Sequence, residues 1–356
     1  MRVEPGILLG GVGMILVTGA TGHIGNVLVN KLMHMGEDLR LLLPPGESVA
    51  PLNGIKAEIV VCDIRDGEAV MRAVEGCDTV FHLAGIVRIS KKNDTLLEEV
   101  NIGGTQNMVE ACLHHRVGRL IYISSIHAIE EPQNGSAITE RLSTVANAKA
   151  GGYANSKARA TRIVQEGIAR GLDAVILFPS GVIGPFDYKL SEIGALIKRF
   201  IKGSKNRIAF YFDGAYDFVD VRDVCDALVL AWKMGRRGEG YIVSGEKASI
   251  KEIYTHLLSI RGARKKLVRV PLPLVKLAGV FVHIYSLVFR KKPVFTRYAV
   301  EVLRSNASIS SAKARNELGY RARPVSDSLR DSVAWFDGDR KQHRTVRKAR
   351  KKTKRQ

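Results

Sequence analysis

The sequence is short of the residues that build a cross-linked or metal-held domain. Its four cysteines, Cys62, Cys77, Cys112 and Cys225, are scattered, with no Cys-x-x-Cys and no histidine cluster beside them. A disulfide framework and a zinc site are thereby excluded, and a reducing cytoplasm fits. A long uncharged apolar run is lacking as well. Pro271 to Phe289 (PLPLVKLAGVFVHIYSLVF) is interrupted by Lys276 and His283, and its uncharged part falls short of the roughly 20 residues that cross a bilayer. Leu274, Leu277, Phe281, Ile284 and Val288 stand there at helical spacing, which reads as a helix buried in a second lobe. With Arg290-Lys-Lys292 beside it, the stretch also has the composition of a helix resting peripherally on a membrane surface, from which a lipophilic substrate is drawn. Met1 to Gly13 has too short an apolar run for a signal peptide, and Met14, where the first strand begins, is a candidate start. No long repeat is visible, which excludes a solenoid.

Acid is missing from one end. Arg340 to Gln356 carries ten Lys or Arg residues and no Asp or Glu, so half of the net charge of +20 sits in a short tail. Such a block reads as a disordered tail in nonspecific contact with an anionic membrane surface or nucleic acid, and says little about chemistry.

What is present is ordinary globular material. The 356 residues, 46% hydrophobic and 25% charged, suffice for a large α/β domain and a smaller one. Apolar runs recur at Ile15 to Val17, Leu39 to Leu43, Ile59 to Val61, Thr79 to Leu83, Leu120 to Ile123 and Ala174 to Phe178, with helix-like segments between them. Apolar strands alternating with helices predict an α/β fold with a doubly wound parallel sheet covered on both faces. Beyond Pro179 the texture becomes irregular, while Phe218 to Trp232 and Tyr241 to Ser244 read as a helix and strand returning to the first domain. The predicted organisation is a cofactor domain over 14–182 completed by 216–245, a substrate lobe over 183–215 and 246–336, and the basic tail over 337–356.

The first strand runs into Thr18-Gly-Ala-Thr-Gly-His-Ile-Gly25, and a helix follows. Gly19, Gly22 and Gly25 suit a tight turn, close approach of backbone to a pyrophosphate, and close packing of helix on strand. The helix N-terminus then faces the phosphates with unpaired N–H groups and its positive dipole end. Dinucleotide binding follows as the expectation. The acid that would read the ribose is less evident: Asp38 precedes the second strand, and Leu43-Pro44-Pro45 stands at its end. With no carboxylate there the residues lean to NADP over NAD.

Tyr153 and Lys157, in Gly152-Tyr-Ala-Asn-Ser-Lys157, lie four apart at the head of a helix-forming run and share one face. An ammonium beside a phenol stabilises phenolate, which would lower the tyrosine toward neutrality and make it a proton donor or acceptor. The plain alternative is a surface tyrosine beside a solvated lysine, and the pair needs support from elsewhere in the chain.

That support comes from a resemblance. The chain resembles the extended short-chain dehydrogenase/reductases: Thr18 to Gly25 matches their glycine turn, and Cys62-Asp63-Ile64 is similar to the segment carrying their adenine-contacting Asp. Phe81-His-Leu-Ala-Gly85 looks like their fourth strand, and Asn101-Ile-Gly-Gly-Thr-Gln-Asn107 like their Asn-x-x-Gly-Thr-x-Asn helix. Tyr122-Ile-Ser-Ser125, Tyr153 to Lys157, Pro179-Ser-Gly-Val182 and Phe218 to Val224 complete the set in the family's order. The likeness covers about residues 14 to 336.

The resemblance implies a helix-paired homodimer and an enzyme moving a hydride between nicotinamide and a carbonyl or alcohol in a small-molecule substrate. It implies Tyr153 as acid/base, Lys157 as the residue that lowers its pKa and holds the nicotinamide ribose, and Ser125 as the partner of the substrate oxygen. Gly19, Thr21, Gly22, His23, Ile24, Gly25, Asp63, Ile64, Leu83, Ala84, Gly85, Lys157, Pro179 and Val182 are then the cofactor-binding residues, and no metal is implied.

Departures narrow the reading. Phe178 replaces the family's usual Arg, and Ile126-His127 replaces the Asp-Glu of the 4,6-dehydratases, which argues against dehydration. His82 reads as structural beside the cofactor, and His127 as a satisfied loop histidine or a cleft-lining one. Lys292 to Arg297, Ala312 to Tyr320 and Val333 to Phe336 resemble the bacterial proteins similar to dihydroflavonol 4-reductase and 3β-hydroxysteroid dehydrogenase. The competing readings are a sugar-nucleotide epimerase using Lys198, Arg199, Lys202 or Lys205 on a diphosphate, and a non-catalytic NAD(P)-sensing protein, which would not need Tyr153 and Lys157.

Overall fold

The structure of the protein, a computed structural model, describes residues 13–87, 94–132, 134–144, 151–202, 207–271, 274 and 306–338. Most of the Pro271 to Phe289 stretch, Lys292 to Arg297, Lys205 and the basic run from Arg340 lie outside the described residues.

In chain order the first half comprises β1 (Met14–Thr18), α1 (His23–His34), β2 (Leu39–Leu43), β3 (Glu58–Val61), α2 (Gly67–Val74), β4 (Cys77–His82), α3 (Thr95–Glu98), α4 (Gly104–His114), β5 (Arg119–Ile123), α5 (Gly151–Ala169) and β6 (Ala174–Pro179). Then come β7 (Gly181–Ile183), α6 (Glu192–Lys202), β8 (Ile208–Tyr211), β9 (Ala215–Asp220), α7 (Val221–Met234), β10 (Gly240–Val243), β11 (Glu246–Ser249), α8 (Ile250–Arg261), β12 (Lys266–Arg269), α9 (Ala312–Leu318) and a last helix, α10, over 325–338.

Seven strands form one sheet in the order β10-β6-β5-β4-β1-β2-β3, and every neighbouring pair is parallel. The doubly wound expectation therefore holds, and burial of both faces explains the unbroken apolar runs. Along β1, Leu16 joins the core under α2, α4 and α5, whereas Ile15 and Val17 join the core under α1 and α7. β5 alternates in the same way, Leu120 and Tyr122 on one face, Ile121 and Ile123 on the other. Winding reverses between β1 and β4, and in such sheets the crevice outside the strands' carboxyl ends at that reversal takes the ligand.

The smaller lobe has a three-stranded sheet, β11-β9-β7, and a two-stranded one, β12-β8. Leu196, Phe200, Ile253, Leu257, Leu329 and Phe336 of α6, α8 and α10 pack together there. Two segments depart from the boundaries read in the sequence. β9 pairs with β7 and β11 and not with the main sheet. Ala314, Leu318 and Tyr320, read as substrate lobe, pack instead in the apolar layer with α1 and α7. Among the described residues no helix is long and apolar enough to cross a membrane.

Candidate active site

The glycine turn sits where β1 meets the crevice. Gly19 has φ +70°, and a Cβ there would come within 2.8 Å of the Ala84 nitrogen, so only glycine fits between the turn and the end of β4. A Cβ on Gly25 would lie 2.1 Å from the Gly19 carbonyl oxygen, which makes that glycine the packing position. At Gly22, the N-cap of α1, no side chain caps the helix and its first turn carries no acid. The free N–H groups and the positive dipole end are thus left for an anion, and the residues fit a dinucleotide's pyrophosphate. Thr21 is buried, and Ile24 packs in the core under α1. His23 is turned elsewhere: its Nε2 bonds the Pro185 carbonyl at 2.9 Å.

A polar chain ties this turn to the helices behind it. Leu83 and Ala84 donate their N–H groups to Thr18 Oγ1 at 3.1 and 3.0 Å, and Thr18 Oγ1 meets His82 Nδ1 at 2.9 Å. His82 Nε2 faces Thr105 Oγ1 at 3.1 Å, and Thr105 donates to the Asn101 carbonyl at 2.7 Å. Because Thr105 spends its proton on that carbonyl, we assign the histidine proton to Nε2, with Nδ1 accepting from Thr18. His82 is fully buried and its pKa is pushed down to about 3, by burial first and by the Lys157 charge second. It is a neutral structural link, as its position in the fourth strand suggested.

Asn101 continues the chain. It lies in a π-helical turn over Glu99–Gly103, the local widening that often marks a functional position. Its amide bonds both backbone groups of Ile86, at 2.7 and 3.0 Å, and donates to Ser156 Oγ at 2.9 Å. A Cβ on Gly85 would sit 3.3 Å from Asn101 Oδ1 and 3.4 Å from Lys157 Nζ, so the Gly85 backbone lies against both. Asn101 carried no assigned role in the sequence reading, although its Asn-x-x-Gly-Thr motif was the available signal.

Tyr153 and Lys157 lie in the first turns of α5, whose buried Ala154, Ala158, Ala160 and Thr161 are small enough to let the helix approach the sheet closely. The Tyr153 hydroxyl is hydrogen-bonded to Ser125, and burial, partly offset by that bond, pushes its pKa up to about 12. Lys157 Nζ donates to the Ile123 carbonyl at 2.9 Å and lies 5.2 Å from the Tyr122 ring centre. Burial lowers the lysine to about 8. The spacing argument thus placed the pair correctly on one face, yet the expected lowering of the phenol does not occur in the free protein. The ammonium donates to the Ile123 carbonyl, and loss of water raises the phenol, offset only in part by the Ser125 bond.

Ser124 and Ser125 part company. Ser124 Oγ bonds Thr161 Oγ1 at 2.6 Å, a tie between β5 and α5, while Ser125 Oγ faces Tyr153. Two residues on, His127 Nε2 meets the Tyr216 hydroxyl at 3.2 Å with the two rings stacked, and burial holds its pKa down at about 4. It is a satisfied neutral histidine paired across to β9. Phe178 is buried against Gly240, where a Cβ would come 2.7 Å from the ring.

On the adenosine side, Asp63 is held below the usual carboxylate range by its hydrogen bonds to Arg65, which also pairs with Glu99 at 2.9 Å. Ile64 is buried, and its carbonyl accepts from Asn107 at 2.9 Å. Pro179 ends β6 and Val182 lies in β7, on the same side of the sheet ends as Ser125. Asp38 is ruled out as a ribose reader because its carbonyl accepts from Ile15 N–H at the amino end of the strands, away from the crevice. Another acid, Glu47, stands near the end of β2 and was not considered in the sequence reading. Glu47 N–H donates to the Pro44 carbonyl at 3.2 Å across Pro45 and Gly46, the latter at φ +76°, so the chain folds back on the end of β2. The Pro-Pro-Gly run was the signal. Among the described residues no cluster of three or more potential metal ligands occurs.

Comparison with known proteins agrees with this geometry. Residues 15–244 match the NAD dependent epimerase/dehydratase family. The chain is 32% identical to sterol demethylase protein B of Methylococcus capsulatus over 324 residues, covering 90% of this chain and 97% of that protein. It is 30% identical to a putative dihydroflavonol 4-reductase of Synechocystis over 326 residues, with 90% and 93% coverage. The crystal structure of the dTDP-glucose 4,6-dehydratase DesIV from Streptomyces venezuelae, with NAD bound, superposes with a TM-score of 0.74 over 92% of this chain and 98% of that one; at 23% identity this likeness concerns the fold.

Proposed function

Because the chain belongs to the NAD dependent epimerase/dehydratase family, we propose that Tyr153, Lys157 and Ser125 carry out hydride transfer between a nicotinamide and a carbonyl or alcohol carbon. The protein is an NAD(P)-dependent dehydrogenase/reductase of the extended short-chain type. Bound NAD(P)H supplies the hydride. Tyr153, still protonated at neutral pH because burial holds its pKa near 12, gives its proton to the oxygen as charge builds there; in the reverse direction it takes the proton back. Ser125 hydrogen-bonds the same oxygen. Lys157 presents its ammonium to the ribose hydroxyls beside Gly85, and Asn101 fixes the Ile86 backbone and the Ser156 end of α5 around it. The observation that carries this reading is the convergence of Ser125 on Tyr153 with Lys157 one helical turn away.

A lipophilic, medium-sized carbonyl compound is the substrate class, supported by the likeness to a sterol demethylase protein and a reductase. The enzyme is read as a cytoplasmic homodimer, peripheral at a membrane, with its basic tail in contact with anionic surfaces. Native mass spectrometry of the purified protein, followed by NAD(P)H oxidation assays on a panel of ketones, tests the proposal. A copurifying dinucleotide and net cofactor turnover are expected. A sugar nucleotide copurifying with no net turnover would make the protein an epimerase, and binding without any turnover would make it a sensor.

A further inference from the structure

Pro45 and Gly46, the latter at φ +76°, with the bond from Glu47 N–H to the Pro44 carbonyl, make the pattern of a type II turn. In such a turn the first and fourth Cα atoms lie within about 7 Å. Glu47 is therefore returned to the carboxyl end of β2, and its carboxylate, largely covered, meets Lys189 Nζ at 3.0 Å.

Lys189 comes from across the crevice. It belongs to the segment between β7 and α6, which is laid along the first turn of α1 by two bonds, His23 Nε2 to the Pro185 carbonyl at 2.9 Å and Asn26 Nδ2 to the Phe186 carbonyl at 3.2 Å. The segment is a strained and anchored strap. Phe186 and Leu190 have φ of +69° and +57°, and the buried Asp187 carboxylate accepts from both the N–H and the hydroxyl of Ser191. It thus runs past the phosphate-binding turn to the end of β2, where a sheet of this winding places the adenosine ribose.

We propose that Glu47 is the specificity-determining residue for that ribose, its carboxylate accepting from the 2′-hydroxyl while Lys189 holds it in place from the strap, so that the protein takes NAD in preference to NADP. The inference rests on the dinucleotide reading above and reverses the lean to NADP drawn from Leu43-Pro44-Pro45. Charge among the described residues of this rim points the same way: Glu47 pairs with Lys189, Asp63 and Glu99 share Arg65, and both cations are thus already paired. A 2′-phosphate would add negative charge beside three carboxylates whose two cations are already engaged.

Equilibrium titration of NADH and NADPH by nicotinamide fluorescence, on the wild type, Glu47→Gln and Lys189→Met, tests this. The wild type binds NADH more tightly. Glu47→Gln reduces the preference on the order of tenfold, mainly by tightening NADPH, because a like-charge contact is removed. Lys189→Met weakens NADH a few fold, on the scale of one partly exposed ion pair, without improving NADPH. A wild type that prefers NADPH, a ratio unmoved by Glu47→Gln, or a loss confined to NADPH in Lys189→Met would overturn the assignment. If neither nucleotide binds, the dinucleotide reading falls, and this inference with it.

Discussion

Water, more than the charge of its neighbour, sets the chemistry of each member of the Tyr153–Lys157 pair. Burial lowers Lys157 from 10.5 to about 8 and raises Tyr153 from 10.0 to about 12. The consequence for stability has a definite sign. Between pH 8 and about 10 the unfolded chain keeps the lysine proton that the folded protein has shed, so the contribution of this group to stability rises with pH, by at most about 1.4 kcal/mol per pH unit. Above about 10 the unfolded tyrosine ionises while the folded one does not, and stability falls. The four buried cysteine thiols, all raised by burial, act in the opposite sense from about pH 8.5, so the share of Lys157 is read as a difference: the melting temperature of the cofactor-free wild type relative to that of Lys157→Met should rise from pH 8 to 10. A difference between wild type and variant that does not change over this range would contradict the lowered lysine. The identity and shared face of the pair were legible in the sequence, because four-residue spacing is a property of the helix. Its pKa values were not, since burial depends on Tyr122, Ile123 and Gly85, which the fold brings in from β5 and the end of β4.

Among the elements, the β1–turn–α1 unit is the one in which sequence and structure agree most fully, since each glycine answers a local steric demand. Gly25→Ala would place a methyl group 2.1 Å from the Gly19 oxygen, and backbone cannot yield there as a side-chain tip would. We expect this variant to lose NADH binding in a fluorescence titration while keeping its far-UV circular dichroism; binding within a few fold of wild type would contradict the packing role. The end of β2 was read less well. Glu47 carried no role in the sequence reading, which stopped at Leu43-Pro44-Pro45, and the reversal at Pro45-Gly46 is what returns it to the strand end. In the same way the strap from Gly184 to Ser191 showed in the sequence as a Gly-Pro break, with no hint that His23 and Asn26 would hold it.

For the whole molecule, alternating apolar strands and helices were enough to predict a doubly wound sheet, because burial on both faces leaves its mark on every central strand. The return of α9 to the first lobe was not legible: Ala314 and Leu318 are apolar residues that would suit either core, and the choice is fixed by polar contacts, Lys313 with Glu239 and the Gly240 carbonyl, Glu317 with Tyr241 and Arg236, and the Tyr320 hydroxyl with the Ser244 carbonyl at 2.9 Å. The acid-free run from Arg340 follows the last apolar contact of α10, Phe336, and should be separable from the fold. Truncation after Asp339 should leave the melting temperature and cofactor affinity unchanged and reduce retention on anionic vesicles or nucleic acid at low salt, an attraction that fades as ionic strength rises. Unfolding on truncation would make the tail a structural part of the protein. The central claim, that Tyr153 moves the proton that accompanies hydride transfer, is tested most directly by measuring turnover and nucleotide affinity together in Tyr153→Phe. The account predicts a dissociation constant within a few fold of wild type and a loss of turnover on the order of 10² or more; near-wild-type turnover in that variant would contradict it.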